Sequence, residues 1–301
     1  MNGASLTASS RSSRVAYSTR YLILTTFVLV GCGPSPAASN GAEGGSASTG
    51  SSSSGSGNAM GGNGAASGSG FDCKGDATPA DTVAVPAGDF IMGCNAAVDA
   101  ACADDEKPMH TVTLRAFRID KTEVTQAQYA ACVADGACNA PSCAWDCSKG
   151  DYPASCVVFD DAKAYCAWAG ARLPSEAEWE KAARGSDGKA FPWGNSAPDC
   201  TLANLAGCSG HAQAVGSLPA GKSPYGALDM AGNVVELVAD WYDAAYYATS
   251  PASDPTGPAS GTRVGGRGGG FKSEATWQRA SKRDWYDLTD SGAALGFRCA
   301  L

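Results

Sequence analysis

Twelve cysteines spaced from Cys73 to Cys299 constrain this 301-residue chain more than any other feature of it. A thirteenth, Cys32, stands apart near the N-terminus. An even set of cysteines reads as a disulfide framework in an exported chain, and as metal or redox chemistry in a reducing compartment. The first residues decide which applies. Residues 1–31 carry Arg11, Arg14 and Arg20, no acid, and then the apolar run Tyr21–Val30. A charged start followed by a short apolar run is the pattern of an export signal, and the run is too short to cross a bilayer as a helix. It ends in Leu29-Val30-Gly31-Cys32, the pattern of a bacterial lipobox, whose cysteine is lipidated and becomes the new N-terminus. An ordinary cleaved signal with a chance cysteine is the alternative. A multi-chain lipid on Cys32 would anchor the protein stably, each buried methylene contributing about 0.8 kcal/mol. The expected location is the cell envelope, on the periplasmic or cell-surface side of a membrane.

Setting Cys32 aside leaves twelve cysteines and up to six bridges. Short-loop pairs such as Cys94 with Cys102 and Cys200 with Cys208 suit the spacing, although spacing alone does not define connectivity. The group Cys132, Cys138, Cys143, Cys147 and Cys156 offers a zinc reading, but it contains no paired CxxC and the compartment is oxidising. Residues 32–75 are Ser, Gly, Ala and Asn with almost no apolar bulk, so they cannot bury enough surface to offset ordering entropy and are expected to be a flexible tether. Residues 76–301 suffice for one large domain. The chain carries 30 acids and 22 bases; without the three leader arginines, 30 acids face 19 bases, a net −11. With no basic cluster left, nucleic acid is excluded as a partner. The acidity suits solubility and cation binding.

Helix signals are few and clear. Thr125-Gln126-Ala127-Gln128 is a capping box that opens a helix through Val133, closed by Gly136. Asp160 or Asp161 caps a second helix that carries Tyr165, Cys166 and Trp168 and stops at Gly170. Ser175-Glu176-Ala177-Glu178 opens a third through Arg184. Strands are short: Thr82–Val85, Phe90–Met92 and the alternating run Thr111–Ile119. Beyond Gly194 the pattern is irregular with brief strands. The fold class is α+β with low regular structure, and such a domain needs disulfide staples.

Seven strings along the chain carry a resemblance. They are Val85-Pro86-Ala87-Gly88-Asp89-Phe90-Ile91-Met92-Gly93, Lys121-Thr122-Glu123-Val124-Thr125, Arg172-Leu173-Pro174-Ser175-Glu176-Ala177-Glu178-Trp179-Glu180, Phe191-Pro192-Trp193-Gly194, Tyr225-Gly226-Ala227-Leu228-Asp229-Met230-Ala231-Gly232-Asn233-Val234, Arg267-Gly268-Gly269-Gly270-Phe271 and Gly296-Phe297-Arg298-Cys299. Their content and order resemble the formylglycine-generating enzyme (sulfatase-modifying factor) family over residues 81–301. The resemblance implies a C-type-lectin-like fold of the sulfatase-modifying type with calcium in its loops. The archetypal activity is copper- and oxygen-dependent oxidation of a sulfatase cysteine to formylglycine. Other branches include iron-dependent sulfoxide synthases and lectin-like binders, so membership implies the fold better than the activity.

Residue by residue, the resemblance implies one calcium site built from Asp229, the carbonyls of Gly232 and Val234, and Glu236. The alternative is that these acids are merely solvated. The family's aromatics beside that glutamate are replaced here by Val235 and Leu237. Of a second calcium loop only Asn204 is recognisable. Cys166 and Cys299 fall where the family joins its second helix to the C-terminal strand. At the two copper-binding cysteine positions stand Ser273 and Gln278, and no cysteine lies between Cys208 and Cys299. Soft thiolates select Cu(I), so no copper is expected. The iron branch uses three histidines, whereas this chain has two, His110 at a strand start and His211 in a Gly-rich loop.

Lys272, Trp277, Arg279, Lys282, Arg283, Trp285 and Tyr286 bring bases and aromatics together in the region of the family's substrate groove. Aromatics with cations suit a peptide, glycan or anionic ligand. The alternative is a packed Trp core whose arginines pair the chain's carboxylates. The leading expectation is a tethered, non-catalytic binding module for a peptide or glycan. An oxidoreductase using a non-standard site and a purely structural envelope component are the competing classes.

Overall fold

The computed structural model describes residues 73–301; the expected export signal, Cys32 and most of the expected Ser/Gly tether lie outside the described residues. Two of the helices begin as their sequences dictate. Helix α1 (Gln126–Ala134) is capped by Thr125, whose side chain accepts from the Gln128 amide at 3.2 Å while the Gln128 side chain accepts from the Thr125 amide at 2.9 Å. Helix α3 (Glu176–Arg184) repeats the arrangement with Ser175 and Glu178 at 3.2 and 2.8 Å. Each box satisfies two amides that the helix itself leaves unpaired. Helix α2 (Phe159–Trp168) differs from expectation. Its N-cap is Val158, with no side-chain cap, and Asp160 and Asp161 sit inside the first turn. There they meet the positive end of the helix dipole without closing a cap bond.

The alternating run Thr111–Ile119 is two strands, not one. Strand β3 (His110–Leu114) pairs with β2 (Gly88–Met92), and β4 (Phe117–Asp120) pairs with β1 (Thr82–Val85), both antiparallel. Between them Arg115 and Ala116 are both exposed, which interrupts the two-residue alternation. The Arg115 amide donates to Asp254 Oδ1 at 2.9 Å, so the chain leaves one ladder there before Phe117 turns inward and starts the next.

The C-terminal part forms a four-stranded sheet in the order β7-β6-β5-β8, from β5 (Val235–Trp241), β6 (Arg263–Arg267), β7 (Asp284–Asp287) and β8 (Leu295–Phe297). Only β5 and β8 run parallel. Two apolar clusters hold these pieces together. One gathers Phe90, Val112, Ile119, Trp179 and Met230, and the other Tyr129, Tyr165, Leu237 and Phe297.

All twelve cysteines after Cys32 are bridged, as Cys73–Cys147, Cys94–Cys102, Cys132–Cys138, Cys143–Cys156, Cys166–Cys299 and Cys200–Cys208. The five cysteines that offered a zinc reading are therefore tied as disulfides. Cys73 is tied to the rest of the described residues through Cys147. The bridge Cys166–Cys299 spans 133 residues and pins α2 to the segment just after β8. Replacing both cysteines by alanine should lower the unfolding free energy by roughly 4–5 kcal/mol on the chain-entropy account. Urea denaturation reads this directly, and a loss below about 1 kcal/mol would show that the loop is constrained by other means.

Candidate functional site

The loop that leads into β5 and the turn that leads into α1 bring three carboxylates together inside the protein. Glu236 projects from β5, Asp229 from the loop before it, and Glu123 from the segment just before Thr125. Asp229 and Asn233 hold left-handed backbone at φ 58° and 64°, a conformation that Asp and Asn tolerate better than most residues. Gly232, at φ 88°, is tighter still. A Cβ there would lie 2.5 Å from the Asn204 carbonyl oxygen, so only glycine fits.

Glu236 and Arg298 form the centre of this region. The Arg298 guanidinium donates from Nε and Nη2 to the two Glu236 oxygens at 2.6 and 2.7 Å. Its remaining donors reach the carbonyls of Asp120 and Leu228 at 3.0 and 2.9 Å. Trp179 Nε1 adds a third bond to Glu236 at 2.7 Å. All three side chains are buried. Glu236, expected as a calcium ligand, is thus first of all the partner of Arg298 and Trp179, which draw on both of its oxygens.

The other two acids are less satisfied. Asp229 Oδ2 accepts from the Gly216 amide at 2.5 Å, and Glu123 Oε1 accepts from Asn233 Nδ2 at 2.9 Å. Glu123 Oε2 is buried and receives no donor from the chain's amides, hydroxyls or cations, and the Glu123 carboxyl shares a hydrogen bond with Asp229. Burial pushes the Glu123 carboxyl well above the ordinary range, and the neighbouring Asp229 charge pushes it further. Burial likewise raises Asp229. One guanidinium faces three carboxylates, so this site holds more acid than cation. Hard oxygens with an unmet demand for positive charge are a donor set that Ca²⁺ accepts, and Asp229 and Glu123 are the side chains able to hold it, beside the loop backbone of Gly232 and Val234. Sequence reasoning placed Glu123 only in a helix-entry motif; its acidity just before a capping box was the available signal.

Asn204 serves a different end. Its amide donates to the His211 carbonyl and Asn233 Oδ1 at 2.9 and 3.2 Å and accepts from Ser209 Oγ at 2.7 Å. None of these partners is an acid; the side chain clasps two loops together. Among the described residues one further group has metal-ligand spacing, Cys94, Asp99 and Cys102. Its two sulfurs are bonded to each other, and Asp99 is paired with Arg279.

At the family's thiol positions, Ser273 Oγ accepts from the Gly270 amide at 3.1 Å. Gln278 is fully buried and its Nε2 donates to the carbonyls of Gly270 and Ser273 at 3.3 Å. Gln278 Oε1 has no partner. A hydroxyl and an inward-facing amide do not fit copper, which needs soft sulfur here. His110 sets its ring against Tyr247 with centroids 5.1 Å apart, and His211 is exposed in its loop.

The basic and aromatic stretch divides into an inside and an outside. Arg279 is buried and donates to Glu106 at 2.5 and 2.7 Å and to Asp99 at 2.8 Å. Arg283 is buried and donates to both Glu176 oxygens at 2.8 and 3.0 Å. Arg267 joins the same network through Glu176 and Glu180. Arg279 and Arg283, expected in a ligand groove, are neutralised inside the fold. Lys272, Trp277 and Trp285 are exposed, the two indoles at 39% and 40%. Lys282 lies 4.6 Å from the Trp277 ring centre and Arg263 lies 3.5 Å from that of Trp285. Glu176 and Glu180 went unnoticed as arginine partners in the sequence, although their spacing of four along a helix puts them on one face.

Arg298→Met should destabilise the fold by about 3–5 kcal/mol, because it leaves Glu236 buried without its cation. Adding Glu236→Leu to that variant should recover part of the loss in urea denaturation. If the single change costs less than about 1 kcal/mol, the pair does not carry the weight its burial implies.

Comparison with known proteins places these features in a family. The profile of the sulfatase-modifying factor enzyme 1-like domain matches residues 71–301. The chain is 33% identical over 278 residues to a formylglycine-generating enzyme of Streptomyces coelicolor, covering 72% of this chain and 88% of that protein. It is 35% identical over 191 residues to a hercynine oxygenase of Mycolicibacterium smegmatis, of whose length it covers 44%, and which covers 52% of this chain. Among solved structures it resembles PvdO from Pseudomonas aeruginosa, with a TM-score of 0.65, 30% identity, and coverage of 73% of this chain and 94% of that one. With a family match over most of its length and a close relative nearly spanned, the chain belongs to the formylglycine-generating enzyme (sulfatase-modifying factor) family and has that family's fold.

Proposed function

We propose that this domain is a non-catalytic binding module of its family, held at the cell envelope by a lipid on Cys32 and stabilised by calcium. The observation that carries the reading is the pair at the family's thiol positions, Ser273 and the buried Gln278. Formylglycine generation needs an ionised, accessible sulfur to engage a substrate cysteine, and every described cysteine is tied in a disulfide. In place of chemistry the same region offers exposed Trp277 and Trp285, with Lys282 and Arg263 at their rings. Indole faces with nearby cations suit a glycan or an extended peptide, since they supply large contact area at low entropic cost. Calcium held by Asp229 and Glu123 would supply the positive charge that the buried acids lack and so fix the loop before β5.

A second reading is an oxidoreductase that uses a non-standard site on the same scaffold. It is favoured by relatives named formylglycine-generating enzyme and hercynine oxygenase at 33% and 35% identity.

Two experiments test these statements. A ligand that binds only the folded state stabilises it by about 2.7 kcal/mol at a hundredfold excess over its Kd. Chelation should therefore lower the melting temperature of the wild type, and Asp229→Ala should be insensitive to chelator. A wild type that melts identically with and without chelator ends the calcium assignment. For catalysis, the purified protein is incubated with copper, oxygen, reductant and a sulfatase-motif peptide, and the aldehyde is sought by mass spectrometry. No turnover above a metal-only control is expected; turnover would overturn the binding-module reading in favour of the second.

A further inference from the structure

A cavity of about 530 Å³ lies between α2, the start of α3, the end of β5 and the segment 254–256. It contains none of the residues discussed above as calcium or family-site positions. Its volume falls within the range of small-molecule sites, about 300–1,000 Å³. Leu114, Phe159, Ala167, Ala171, Leu173 and Trp241 supply an apolar wall.

The charged groups around that wall are unequal. Arg172 is held by Glu178 at 2.6 and 2.7 Å, and Arg115 by Asp254 at 3.0 Å. Lys163 approaches Asp160 at 3.8 Å and lies 5.3 Å from the Phe159 ring centre, and its side chain is 57% exposed. Asp240 also lines the cavity; it is buried and its Oδ2 accepts from the Glu176 amide at 2.8 Å. Burial, reinforced by Glu176, pushes its carboxyl up to about 8. Of the lining cations, Arg115 and Arg172 are hydrogen-bonded to Asp254 and Glu178, and Lys163 is the one without a hydrogen-bonded carboxylate among the described residues.

We propose that this cavity binds a small anionic amphiphile, with its apolar body against Phe159, Leu173 and Trp241 and its anionic head at Lys163. A cationic head would meet Lys163 and find each lining carboxylate engaged, Glu178 and Asp254 by the arginines and Asp240 by the Glu176 amide. The apolar wall excludes fully hydrated ions, which would lose their water without compensation.

The test uses the full chain with 1-anilinonaphthalene-8-sulfonate as a fluorescent probe. Saturable binding is expected, with displacement by dodecanoate and not by dodecylammonium at the same sub-micellar concentration. Lys163→Glu should weaken probe and dodecanoate binding by roughly tenfold or more, since it turns attraction at the mouth into repulsion. Ala167→Trp should abolish binding by filling the space. Both positions are exposed on α2, and an unchanged melting temperature confirms the fold. Lys163→Met repeats the charge test without reversal and should give a smaller loss. Non-saturable binding, equal displacement by dodecylammonium, or unchanged affinity in Lys163→Glu or Ala167→Trp would each overturn the proposal. The head-group comparison needs no variant, so it stands even where a substitution disturbs folding.

Discussion

The pairing of Arg298 with Glu236 ties together strands and loops from distant parts of the chain. Arg298 follows β8, Glu236 lies on β5, and the remaining guanidinium donors reach the carbonyl of Asp120 at the end of β4 and that of Leu228 in the loop before β5. Trp179 of α3 completes the set. A guanidinium presents donors in a fixed planar fork, so one buried arginine sets the mutual angles of every segment it touches. In a domain with short strands and three described helices of nine or ten residues, this fork does work that long ladders do elsewhere. Asp120 accepts the Cys299 amide at 2.8 Å, and Cys299 is bridged to Cys166, so the covalent staple and the ion pair converge on the same few residues.

A second buried network explains why the C-terminal segment does not offer a basic groove. Glu176 and Glu180 on α3 receive Arg267 and Arg283, and Arg184 also binds Glu180 at 2.9 Å. Glu106 and Asp99 receive Arg279. Each buried charge is matched because an unmatched one would cost several kcal/mol. What remains outside is aromatic: Trp277 and Trp285 at the surface, with Lys282 and Arg263 resting on their rings. The functional surface is therefore defined as much by which cations have been drawn inward as by which residues occupy the family's site.

The elements written in local chemistry were legible. The Thr125 and Ser175 boxes opened α1 and α3 where their side chains require, because a capping bond spans only three residues. The run from Thr111 to Ile119 was not legible as two strands, since the contact at their junction is with Asp254, far away in sequence. Nothing local marks Cys73 as the partner of Cys147 either. At the candidate calcium loop, motif spacing located Asp229 and Gly232, while the roles of Glu123 and Glu236 depended on which cation each could reach.

By itself the sequence determined the family, the even cysteine set, the starts of α1 and α3 and the lack of any cysteine between Cys208 and Cys299, since each of these is a matter of residue identity at short range. Only the tertiary structure decided which cysteines pair, which of the many acids keep an arginine, and which are left in excess. The reason is physical. Ion pairing, disulfide closure and desolvation act between groups that folding brings together, such as Glu123 and Asp229 or Arg279 and Glu106, and their separation along the chain says nothing about who arrives first.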